Sequence, residues 1–140
     1  MIVVIDTNVL LPMLGRTHPH RAILRAWVAG SFEWAMSSAI LLEYEEIAVP
    51  RIGRERWSEF CDALELAAEL HGNVRRVEPS YRWRLLAADP DDDKFADCAI
   101  AAEAEWIITG DAHFDVLRTA GLKPRPITPA EFIARILGGG

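Results

Sequence analysis

Five acidic side chains, Asp6, Glu43, Asp93, Asp97 and Asp111, stand at strand ends and on helices where they could gather into one acidic site. Asp6 directly follows the apolar run Ile2–Ile5, and Asp111 follows Trp106-Ile107-Ile108-Thr109 after a single glycine. Glu43 falls near the end of the first turn of a helix that Ser37 or Ser38 can cap, and it shares the apolar edge marked by Ile40, Leu41 and Tyr44. Asp93 and Asp97 are four residues apart, so on a helix they share a face, where like charges destabilise it unless a cation lies near. Singly, Asp6 and Asp111 can each cap a following helix, and Glu43 can simply favour a helix dipole. Together, carboxylates ~4–5 Å apart repel by about 3–4 kcal/mol per pair at an effective dielectric near 20, and a cluster needs protons or a divalent ion. Oxygen ligands without thiol or imidazole favour Mg2+ (or Mn2+) over zinc. Such an ion acidifies water and stabilises charge on a phosphoryl oxygen, and a pair of ions clamps the attacking and leaving oxygens.

Other chemistries fit less well. Asp89, Asp91 and Asp93 match the first three positions of a calcium loop, but the glycine position is Lys94 and the closing glutamate is Ile100. His18, His20, His71 and His113 form no HxxxH or Cys/His grouping that would mark zinc. A haloacid-dehalogenase-like phosphatase wants an aspartate two residues after the first, where Asn8 stands. Asp6-Thr7-Asn8-Val9 is no glycine-rich phosphate or dinucleotide turn.

The elements that must hold these acids follow from periodicity. Short apolar runs at residues 2–5 and 106–109, bounded by Asp, Asn or Gly, read as buried parallel strands, with weaker strands at 32–36 and 74–77. Helical stretches cover roughly 18–29, 38–49, 54–71 and 93–105. Thr128-Pro129-Ala130-Glu131 is a capping box that opens a last helix, which Gly138 ends. Strands alternating with helices give an α/β class with a parallel sheet covered on both faces. In such sheets ligands bind outside the carboxyl ends of the strands, which is where Asp6 and Asp111 fall.

The 140 residues, 51% apolar, suit one domain spanning 1–140 with its own core. Cys61 and Cys98 show no paired spacing and read as free thiols in a reducing compartment. No signal peptide and no membrane-length apolar run is evident, so a soluble, cytoplasmic protein is expected. The net charge of −6 argues against a broad basic surface. Any phosphate contacts must be local, and Arg16, Arg21, Arg51, Arg54 and Arg56 are candidates. Trp27, Trp34, Trp57, Trp83 and Trp106 read as core or dimer contacts.

The run Val3-Val4-Ile5-Asp6-Thr7-Asn8, the pair Ser38 and Glu43, the segment Asp97-Cys98-Ala99-Ile100-Ala101-Ala102 and the triplet Thr109-Gly110-Asp111 follow one another in that order. In this the chain resembles PIN-domain proteins, and in particular the VapC-like toxins of type II toxin–antitoxin systems, over about residues 1–128. Asp91-Asp92-Asp93-Lys94-Phe95-Ala96-Asp97 resembles a subgroup that writes D-D-D-K-F-x-E, with aspartate here in place of the final glutamate. The resemblance implies a Rossmann-like parallel sheet and divalent metal held by Asp6, Asp93 or Asp97, and Asp111, with Glu43 as ligand or orienter of water. Thr7, Asn8 and Thr109 would support those carboxylates. It further implies cleavage of single-stranded RNA, a cognate antitoxin partner and a homodimer. The alternative is a catalytically silent module of the same fold that binds RNA or protein.

Overall fold

The computed structural model describes residues 1–86, 88–120 and 123–138. The apolar runs form strands where periodicity places them: β1 (Ile2–Ile5), β2 (Glu33–Met36), β3 (Val74–Arg76) and β4 (Trp106–Ile108). A fifth strand, β5 (Arg125–Ile127), has no β-branched run to announce it. It lies at the edge of the sheet, where Pro126, lacking an N–H, is tolerated. The helices are α1 (Thr7–Leu14), α2 (Arg21–Val28), α3 (Ser38–Ile52), α4 (Arg54–His71), α5 (Asp93–Ala102) and α6 (Pro129–Glu131), the last continuing as a π-helix over Phe132–Leu137. Ser37 caps α3 through the Ile40 N–H at 3.2 Å. Thr128 caps α6 through the Glu131 N–H at 3.1 Å. Helix α5 stops before residue 105 because Glu103 turns left-handed, with φ 55°, and Ala104 N–H closes on the Ala99 carbonyl at 2.8 Å.

All pairings are parallel and the strand order is β3-β2-β1-β4-β5. This is the α/β, Rossmann-like arrangement expected, a central parallel sheet flanked by helices. β1 is central, with Val3, Val4 and Ile5 fully buried. The crossover from β3 to β4 must return over β2 and β1, and α5 lies across that path, packed on β1, β2 and β4. Trp27, Trp34, Tyr44 and Phe60 form an aromatic cluster beside β2, with Trp27 and Trp34 edge to face at 5.2 Å. The Tyr44 hydroxyl donates to the Ile5 carbonyl, tying α3 to the carboxyl end of β1.

Two loops therefore leave neighbouring strands in opposite directions. After β1 the chain proceeds toward β2, and after β4 toward β5, which opens a crevice between their carboxyl ends. Asp6 and Asp111 stand at that crevice. Among the described residues, no helix is long and apolar enough to cross a membrane.

Candidate metal centre

Asp6 is at the N-cap position of α1, and its carboxylate accepts the Thr109 hydroxyl at 2.8 Å. Thr109, itself buried, also accepts the Asp111 N–H at 3.0 Å. One hydroxyl thus fixes the ends of both strands relative to each other. Burial pushes the Asp6 carboxyl above its usual range, and the charges of Glu43 and Asp111 push the same way against the help of Thr109. Asp111 does cap locally, accepting the His113 N–H at 2.8 Å where the 3-10 helix Ala112–Ala120 begins.

The acidic segment divides in a way its composition does not reveal. Pro90–Asp92 forms a 3-10 turn, with Asp92 N–H on the Asp89 carbonyl at 3.1 Å. In that geometry residues three apart eclipse, so Asp89 and Asp92 emerge on one side. One ligand atom from each of Asp89, Asp92, Asp111 and His113 lies within 4.8 Å of all the others. Asp92 also faces Asp6; burial first, then the charges of Asp6, Asp89 and Asp111, push its carboxyl up to about 8. The spacing Asp89-x-x-Asp92 across a proline-led turn is the sequence signal for this pair.

Asp93 and Asp97 share a helical face, as their spacing predicts, but that face looks elsewhere. Asp93 Oδ1 accepts the Leu86 N–H at 2.9 Å, and Asp97 Oδ1 accepts the Trp83 N–H at 3.0 Å. Both line a cavity of about 490 Å³ shared with Arg82, Arg84, Pro90 and Lys94. Glu43 stands between the two regions. Thr7 donates its hydroxyl to one Glu43 oxygen, and Lys94 Nζ lies 2.6 Å from the other. The Asn8 side chain is exposed and bonds to none of these acids among the described residues. Arg21 and Arg56 turn to backbone carbonyls at the end of α1, Arg56 reaching Leu14 O at 2.6 Å.

The structure thus brings Asp6, Glu43 and Asp111 to the crevice, adds Asp89 and Asp92, and turns Asp93 and Asp97 to the adjoining cavity. The donor set suits a hard cation. Four aspartates converge, and Lys94, the nearby ammonium, is engaged by Glu43. Among the described residues only the exposed His113 ring approaches as a possible positive group, 3.3 Å from Asp111 and 3.7 Å from Asp89. Carboxylates gathered in this way bind a divalent ion or hold protons.

Residues 2–113 match the PIN domain family. The chain belongs to that family. Among solved structures it resembles the VapBC2 of Rickettsia felis, crystallised bound to a DNA fragment from its promoter. That likeness has a TM-score of 0.54 at 14% identity, and it covers 91% of this chain and 98% of the other. At such identity it speaks for the shared fold. No curated protein matches the chain. The family match spans Asp6, Glu43, Asp97 and Asp111, and with them the Asp89–Asp92 turn.

Proposed function

We propose that this PIN-domain protein is a metal-dependent endoribonuclease, the toxin component of a VapC-like toxin–antitoxin pair acting in the cytoplasm. The observation that carries the reading is the convergence of Asp6, Asp89, Asp92 and Asp111 at the strand-order reversal, with no lysine or arginine paired to them among the described residues. Asp89, Asp92 and Asp111, with Asp6 and His113 beside them, would hold the ion, Mg2+ or Mn2+. A bound divalent ion supplies water of lowered pKa and a Lewis acid for a phosphoryl oxygen. Thr109 keeps Asp6 and the Asp111 backbone in register, so the carboxylates need little rearrangement when charge develops on the phosphate. Glu43, held by Thr7 and Lys94, would orient the attacking water or join the ligands if Lys94 withdraws. Asp93 and Asp97 serve by holding residues 83–86 against α5. The same reading supplies a cognate antitoxin and a homodimer.

The test is cleavage of a mixed single-stranded RNA pool in Mg2+, in Mn2+ and in EDTA, beside Asp6→Asn and Asp92→Asn. Cleavage that needs the ion and disappears in both variants supports the assignment. Cleavage that survives Asp6→Asn with chelator present sinks it, and metal-independent RNA binding without turnover moves the protein to the silent module.

A further inference from the structure

The segment that Asp93 and Asp97 hold down has a composition unlike the rest of the surface. Tyr81-Arg82-Trp83-Arg84 is irregular rather than a strand, and Arg84 turns left-handed with φ 54°. Tyr81 and Trp83 touch, with ring centroids 4.7 Å apart, while Arg82 and Arg84 line the 490 Å³ cavity. Tyr81 is 63% and Trp83 48% exposed, whereas Trp27, Trp34 and Trp57 are buried. Folding gains little from two aromatic rings left in water side by side, which is the signature of a contact surface. Neither guanidinium makes a hydrogen bond or ion pair among the described residues, although Arg82 lies close enough to Asp97 to lower its carboxyl pKa against the larger effect of burial. Arg75 and Arg76, just upstream, are taken by Glu33 and Glu78.

The cavity adjoins the acid cluster through Lys94 and Glu43. Lys94 forms part of its wall and holds Glu43 at 2.6 Å, and Glu43 in turn acts on Asp6. The backbone is fixed by two hydrogen bonds to α5, so the aromatic and basic groups are presented in a set position rather than on a free loop. Its size lies within the roughly 300–1,000 Å³ typical of small-ligand clefts.

We infer that Tyr81–Arg84 and this cavity form a subsite for single-stranded nucleic acid flanking the cleavage point, one base stacking on the Tyr81/Trp83 pair and adjacent phosphates meeting Arg82 and Arg84. Aromatic faces take any base by stacking, and unpaired guanidinium groups take phosphate, so the segment combines the two elements of sequence-tolerant single-strand binding. It also answers the overall acidity: the chain needs only a local basic, aromatic strip beside its acidic site. The inference rests on the nuclease reading only for its biological meaning; binding can be measured without it.

The experiment is fluorescence anisotropy of a short labelled single-stranded RNA of mixed sequence, with the DNA counterpart alongside, in EDTA. Trp83→Ala should weaken RNA binding about tenfold, and Trp83→Phe should keep most of the affinity. Arg82→Gln combined with Arg84→Gln should flatten the salt dependence by about 1.4 in log–log slope, as two lost single-strand phosphate contacts require. RNA binding within twofold of the parent for a folded Trp83→Ala protein, an unchanged salt slope, or no binding by the parent overturns the subsite and leaves the aromatic pair to a protein contact. Cleavage by the parent in Mg2+ decides the nuclease reading separately. Binding lost in Trp83→Ala with no cleavage by the parent keeps the subsite and sinks the nuclease; the converse result does the opposite.

Discussion

Asp92 concentrates the physical problem of this site. A carboxyl whose pKa is about 8 in the fold and 3.8 outside it binds more protons folded than unfolded between those values. Stability of the ion-free protein must then fall as pH rises from about 4 to 8. Thermal melts in EDTA should show a higher midpoint at pH 5.5 than at pH 8; a flat or rising profile would contradict the cluster. Added Mg2+ should raise the midpoint more at pH 8, because binding displaces the proton that acid conditions retain. Asp92→Asn should stabilise the ion-free protein at pH 8 and remove most of the Mg2+ effect, whereas Asp93→Asn should leave that effect and loosen residues 83–86. The placement of Asp6 and Asp111 at the carboxyl ends of β1 and β4 was legible in the sequence because each follows an apolar run. Asp92 was not, because whether an aspartate faces the site or the neighbouring cavity depends on where a 3-10 turn passes into a helix, a boundary that composition does not mark.

At the scale of elements, Thr109 and Glu103 illustrate two uses of a strand or helix end. Thr109→Val removes the hydroxyl that links β1 to β4, and calorimetric titration should show Mn2+ affinity about 10–100-fold weaker with the far-ultraviolet spectrum unchanged. Glu103 closes α5 in a left-handed conformation that suits glycine better. Glu103→Gly should therefore raise stability by about 1 kcal/mol in urea unfolding; a loss of stability would mean the Glu103 side chain contributes more than its backbone costs. The elements themselves read well from periodicity where apolar side chains repeat. β5 escaped because Arg125-Pro126-Ile127 has edge-strand chemistry, and the exposed Trp83 escaped because tryptophan usually enters the core. Of the arginines considered for phosphate contacts, Arg21 and Arg56 satisfy the carbonyls at the end of α1, a demand visible only once α1 is placed.

For the whole molecule, a net charge of −6 and a local basic strip make opposing claims on an RNA ligand. Binding to RNA should therefore be weak, steeply salt-dependent at low ionic strength and improved by divalent ions that neutralise the cluster; affinity indifferent to salt between 50 and 200 mM, roughly the range over which phosphate contacts are felt, would point to a surface without phosphate contacts. The strand order has a temporal consequence as well. Asp6 is made well before its partner Thr109, which is 103 residues away and follows β4, a strand that slots in beside β1 only after β2 and β3 have been synthesised. At about 5–20 residues per second, the ribosome takes roughly 5–20 s to join the two. A chain released before Thr109 would lack the hydroxyl that bonds to Asp6, so on the proposed reading it would carry β1, β2 and β3 and still hold no complete site for cleavage.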